Sequence, residues 1–93
     1  MMNFEQVSEK ISANGYRRRT SASEMYNEED GSTLKIYDFE HRKRQDIFSV
    51  YVNEYGSVEY IEFTKVDFNR ETREYSQQVI RIDNIKELNK YLG

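Results

Sequence analysis

Cysteine is absent from this chain, and so are proline and tryptophan. Without cysteine there is no disulfide framework and no thiolate zinc site, which fits a reducing compartment. Without proline the commonest loop stiffener is missing, and every non-terminal residue keeps a backbone donor. The four glycines lie far apart, so no glycine-rich phosphate loop can be assembled. A single histidine leaves little material for a nucleophile and its base. No apolar run approaches the length of a membrane span. The N-terminus carries Asn3, Glu5 and Gln6 where a leader would need apolar residues. The expected setting is therefore cytoplasmic, with no membrane contact.

What is present is aromatic and charged. Eight tyrosines and five phenylalanines are enough to build a core, which argues against disorder. The 93 residues make one domain, spanning 1–93, with a modest core and little room for a deep catalytic cleft. A formal net charge of −3 disfavours generic nucleic-acid affinity for the whole surface. The charges are clustered, however: Arg17-Arg18-Arg19 and His41-Arg42-Lys43-Arg44 are basic runs, with the acidic Glu28-Glu29-Asp30 between them. The abundance of Asn, Lys, Ile, Tyr and Glu reads as the product of an AT-rich genome, compatible with a phage or mobile element.

Asp46 to Phe68 reads as two long strands around a tight turn. Asn53-Glu54-Tyr55-Gly56-Ser57 has the form of a type I turn closed by a glycine bulge, with Gly56 in the left-handed position. With Asn53 opposite Ser57, Val52 faces Val58, Val50 faces Tyr60, Tyr51 meets Glu59, Ser49 meets Ile61 and Ile47 meets Phe63. One face then collects Phe48, Val50, Val52, Val58 and Tyr60, and the other Ile47, Tyr51, Ile61 and Phe63. Apolar groups on both faces leave three explanations. The pair is covered on both sides, or a bulge switches the phase near Ile61, or one apolar face binds a partner.

Around this hairpin the chain reads in order. Asn3 to Ala13 is an amphipathic helix with Phe4, Val7 and Ile11 on one side, Asn3 as N-cap and Asn14-Gly15 as its stop. Tyr16 to Tyr26 reads as a polar edge strand, with a helix as the alternative. Asn27 to Ser32 is a loop. Thr33 to Glu40 is a strand with Leu34 and Ile36 on one face and Lys35, Tyr37 and Phe39 on the other. His41 to Gln45 is a charged hairpin loop, and Asn69 to Thr72 a polar turn. Arg73 to Asp83 is a strand with Ile80 and Ile82 opposite Tyr75 and Val79. Ile85 to Leu92 is a final helix capped at Asp83 or Asn84. The predicted class is α+β: an N-terminal helix, an antiparallel meander of about five strands and a C-terminal helix, with both helices on one face.

No catalytic, cofactor or metal site is expected. His41 sits among like charges beside no serine motif and reads as a solvated loop residue. Glu28, Glu29 and Asp30 lack the alternating ligand spacing of a calcium loop. Binding is the remaining class. The acidic hairpin with its tyrosines points to a protein partner, with Tyr51, Glu54, Tyr55, Glu59 and Glu62 as candidate contacts. An acidic, aromatic surface can also act as an inhibitor that occupies a basic groove. The edge strand at Arg17 to Tyr26 offers pairing with a partner strand or a second copy, so a homodimer is a linked expectation. The alternative is nucleic-acid binding by Arg17, Arg18, Arg19, Arg42, Lys43 and Arg44, with Tyr37, Phe39, Tyr51 and Tyr75 as a stacking platform.

Overall fold

A computed structural model describes residues 2–92. The elements follow in the order β1 (Met2–Asn3), α1 (Phe4–Ala13), β2 (Tyr16–Arg18), β3 (Ser23–Tyr26), β4 (Thr33–His41), β5 (Asp46–Val52), β6 (Ser57–Asn69), β7 (Glu74–Ile82) and α2 (Ile85–Leu92). All strands belong to one antiparallel sheet. β6, β5 and β4 form its centre. β2 and β3 pair end to end along the far side of β4, and β1 and β7 share the outer side of β6. The α+β class, the meander and the terminal helices are as the sequence predicts. The predicted edge strand from Tyr16 to Tyr26 is split into β2 and β3, with an interruption after Arg18, and its helical alternative does not occur. β1 has no counterpart in the sequence reading.

Local chemistry sets the element ends. Asn3 Oδ1 accepts from the backbone N–H of Glu5 at 2.8 Å and of Gln6 at 3.4 Å, capping α1. Asn84 Oδ1 accepts from Glu87 N–H at 2.8 Å, while Glu87 reaches back toward Asp83 N–H at 3.4 Å, a reciprocal cap on α2. Three loops open on an asparagine whose Oδ1 accepts from the N–H two residues on: Asn27 from Glu29, Asn53 from Tyr55, Asn69 from Glu71. This is the side-chain turn that stands in where proline is absent.

The β5–β6 hairpin has the predicted turn. Asn53 N–H donates to Ser57 O, and Gly56 takes a φ of 81°. Val52 faces Val58, but the register then shifts: Tyr51 faces Tyr60, Val50 faces Ile61, Ser49 faces Glu62, Phe48 faces Phe63 and Ile47 faces Thr64. Glu59 is the extra residue of a bulge. The predicted pairs beyond Val52–Val58 are therefore corrected by one residue, and the phase-switch explanation holds. Val58 before the bulge and Ile61 and Phe63 after it point to the same side.

That side is the interior. Phe39, Phe48, Val50, Ile61 and Ile82 are fully buried there with Val7 and Ile11 of α1 and Leu88 of α2. Phe48 anchors an aromatic cluster, with Tyr16 edge-on at 4.9 Å and Phe63 at 4.8 Å, and Tyr91 of α2 lies on Phe63 at 5.3 Å. Phe4 lies on Tyr37 at 4.7 Å at the rim. No described element covers the opposite, open face.

His41 is half-buried and structural, which corrects its reading as a solvated loop residue. Its Nδ1 accepts from the N–H groups of Lys43 at 3.0 Å and Arg44 at 3.1 Å, its ring stands edge-on to Tyr16 at 4.9 Å, and Gly15 lies against it. Gly15 holds a φ of +92°, and a Cβ there would come within 2.8 Å of His41 Nε2. Gly15→Ala is expected to cost about 1–3 kcal/mol from the left-handed backbone and the steric conflict together. In a His41→Ala background the same change should cost less, because only the backbone penalty remains. Chemical denaturation of the native chain and the three variants checks this, and equal costs in both backgrounds would contradict it.

Candidate functional site

The alternation of strands across the bulge builds an ordered open face. One row runs Ile36, Tyr51, Tyr60; the next runs Asp38, Ser49, Glu62, Arg81; the third runs Glu40, Ile47, Thr64, Val79. The middle row is polar from end to end. Arg19 joins it from the β2 side, 3.6 Å from Asp38 and also bonded to Glu40. Ser49 Oγ donates to Asp38 Oδ1 at 2.7 Å. At the far end Arg81 lies over the Tyr60 ring at 4.2 Å and bonds Asp83 at 2.9 Å. Tyr51 and Tyr60 stack at 4.3 Å with nearly parallel rings. Burial, then the Glu62 carboxylate, pushes the Tyr51 hydroxyl up to about 12. The same two causes raise Tyr60, with Arg81 opposing them.

The candidate protein contacts divide into two groups. Tyr51 and Glu62 lie together at the centre of the open face. Glu54 and Tyr55 sit at the hairpin tip, where Tyr55 is 90% exposed. Glu59 turns toward that tip, its carboxylate accepting from Asn53 Nδ2 at 2.9 Å. Glu54, Tyr55 and Glu59 line a shallow groove with the loop around Asp30 and Gly31. The hairpin thus presents a stacked, partly shielded pair at its middle and an exposed aromatic tip.

The candidate cations do converge. Tyr16 faces His41 and Arg17 faces Glu40, so the pairing of β2 with the end of β4 brings both basic runs to one corner. Arg17, Arg18, Arg19 and Arg42 line a single cleft there. As the alternation requires, Arg17 and Arg19 follow the open face while Arg18 lies on the helix side, over the Tyr37 ring at 5.6 Å. Arg17, Arg42 and Lys43 make no ion pair among the described residues. Arg44 and Asp46 approach the buried Tyr16 hydroxyl, which makes no well-formed hydrogen bond among the described residues; burial and Asp46 raise its pKa, and Arg44 opposes them. The aromatic platform is not assembled. Phe39 is fully buried, Tyr37 packs under Phe4, Tyr51 is stacked on Tyr60, and Tyr75 stands apart at the far end of the sheet.

The feature that sequence reasoning missed is the outer edge of β7. This nine-residue strand pairs with β6 on one side and with no described strand on the other. From Tyr75 to Ile80 it carries no charge, glycine or proline. Tyr75 is 70% exposed and Val79 55% exposed, both on the open face, and Phe68 lies against Tyr75 at 4.8 Å. The sequence signal was the uncharged run Tyr-Ser-Gln-Gln-Val-Ile; what it does not encode locally is that one side of the strand is left free.

No helix among the described residues is long and apolar enough to cross a membrane, and no group of acidic or histidine side chains among them is placed to hold a metal ion. Comparison with family models, with curated proteins and with solved structures finds no match for this chain.

The raised Tyr51 hydroxyl makes a pH prediction. The folded group holds its proton above the ordinary value of 10.0, so between about 10 and about 12 the folded state binds more protons than the unfolded chain. Stability from this group is complete below pH 10 and falls as pH rises through that window. Tyr51→Phe should flatten the alkaline loss of stability, measured by denaturation across the window. An unchanged slope would contradict the assignment.

Proposed function

We propose that this chain is a small non-enzymatic module that binds another polypeptide by strand addition at the outer edge of β7. The single observation that carries the reading is a nine-residue strand, paired among the described residues on one side only, whose central residues carry no charge, glycine or proline against pairing. An added strand takes its affinity from main-chain hydrogen bonds and its selectivity from alternate side chains. Here those are Tyr75, Gln77 and Val79 on the open face. Beside them the open face offers Arg81, Glu62 and the Tyr51–Tyr60 stack for side-chain contacts. The hairpin tip, with Glu54, Tyr55 and Glu59, is a second contact area on the same domain. An acidic accessory or inhibitory protein of a phage or mobile element, working in a cytoplasm, is the setting that agrees with the composition.

A second reading rests on the basic corner. Arg17 and Arg42 line the cleft there and make no ion pair among the described residues, and a phosphate chain laid in it would meet both. On this reading, affinity for single-stranded or duplex nucleic acid falls steeply with salt. The pair Arg17→Glu and Arg42→Glu then lowers the salt slope by about two. A titration in which the slope and the affinity are unmoved removes this reading.

For the first reading, the test is retention by the tagged protein from nuclease-treated lysate, compared between variants. A polypeptide held by the native chain, lost on combining Tyr75→Lys with Val79→Lys and kept with Glu54→Lys, is the expected result. Both lysines replace exposed side chains, so the circular dichroism and melting temperature should stay close to native. Equal retention by the double-lysine variant, or a native chain that neither holds a polypeptide nor associates with itself, would overturn strand addition.

A further inference from the structure

We infer that the polypeptide added at β7 is a second copy of this chain, so that two domains join their sheets across a two-fold axis through Gln77; this rests on the strand-addition reading above. The argument is the symmetry of the exposed groups within the strand. Tyr75 and Val79 are the two exposed large hydrophobic residues of β7, and they lie two residues to either side of Gln77. A two-fold axis perpendicular to the sheet keeps the open faces of both copies on the same side. It pairs residues of equal parity, because directly opposed residues in an antiparallel ladder share a face.

With Gln77 opposite the partner's Gln77, Tyr75 meets the partner's Val79 and Val79 meets the partner's Tyr75. Each is an aromatic–branched cross-strand pair of the favourable kind. Ser76 then meets the partner's Gln78 on the other face. The two Gln77 side chains, each with donors and an acceptor, can bond one another at the axis. Phe68, 47% exposed and already against Tyr75, extends the apolar strip on each copy. Within β7 this register opposes the seven residues from Glu74 to Ile80, so Glu74 meets the partner's Ile80 at each end and Arg81 falls outside.

The other side of the sheet is built in the opposite way. β2 carries Arg17 and Arg18, β3 carries Glu24, and the pair is short and interrupted. Such an edge resists pairing. An isologous contact made only through β7 closes at two copies and cannot propagate into a fibre.

The absence of cysteine makes the test direct. Opposed residues across an antiparallel pair have Cα atoms about 4.5–5.5 Å apart, within disulfide reach. Two Tyr75 positions in this register are separated by roughly 13 Å along the strands. Gln77→Cys under mild oxidation should therefore give an interchain disulfide in high yield, and Tyr75→Cys and Gln78→Cys should not. Sedimentation equilibrium of the native chain should show the mass rising from 11.2 kDa toward twice that value across a concentration series. Gln77→Lys, which sets like charges against each other at the axis, should weaken that association by about fivefold.

A native chain that stays at one copy throughout overturns the inference, as does cross-linking that is equal at the three positions or strongest at Gln78→Cys. If the chain is monomeric but still loses a retained protein when Tyr75 and Val79 become lysine, the second copy falls and strand addition stands. If neither association nor retention depends on β7, both fall together.

Discussion

One residue in excess on β6 decides which side of this sheet becomes the interior. Strand side chains alternate, so Val58 and Ile61 cannot share a face in a regular strand. Glu59 breaks the alternation opposite Val52, and after it Ile61 and Phe63 fall in line with Val50 and Phe48. Without the bulge the next residues would exchange sides. Tyr60 and Glu62 would be driven against Val50 and Phe48, and a carboxylate buried without a partner costs several kcal/mol. The regular register is thus excluded by the charge it would bury, and the bulged one is selected. The same shift places Tyr60 on Tyr51 and Glu62 beside Ser49, so the open face is set by the bulge as much as the core is.

The two helices complete what the bulge begins. Each is too short to persist alone and is held by the stripe it lays on the sheet. Val7 and Ile11 from one and Leu88 and Leu92 from the other close over the phenylalanines of β4, β5 and β6. The connections spend no proline, and three of the loops are shaped by an asparagine that bonds the backbone ahead of it. The chain therefore reverses direction through side-chain hydrogen bonds that depend on local sequence alone.

That locality explains what could be read in advance. The caps at Asn3 and Asn84, the stop at Gly15 and the turn at Asn53 each rest on residues within a few positions, and each is found where its sequence places it. The bulge is different in kind. Apolar residues on both faces of the hairpin signal a phase change somewhere, but its position at Glu59 follows from competition between whole registers against the same core. The basic corner was half legible: the runs at Arg17 and Arg42 are evident, whereas their meeting depends on β2 reaching across to the end of β4. The stacking platform failed for a related reason. Tyr37 and Phe39 share a strand face, but which face lies under the helices is settled by the sum of the other strands, and Phe39 went inside. His41 misled because a lone histidine in a charged run looks solvated, while its ring in fact holds the turn that follows it and fills the space that Gly15 leaves.

The free edge of β7 is the least local property of all. Nothing in Tyr75 to Ile80 says that a strand will lack a neighbour on one side; that results from β1 and β7 dividing the outer side of β6 between them. Once the topology leaves it bare, its composition acquires meaning. An edge that must stay single is ordinarily charged, kinked or short, as β2 and β3 are. β7 is long, and it is neutral where it is longest exposed. A chain that blunts one edge with Arg17, Arg18 and Glu24 and leaves the opposite edge smooth has an asymmetry that the stability of the isolated domain does not require. Adding a charge at Gln77 or Val79 would leave the core residues Ile80 and Ile82 untouched, because they point to the other face. The absence of such a charge is therefore not dictated by the packing of the core, and it is the observation on which the proposed pairing at that edge rests.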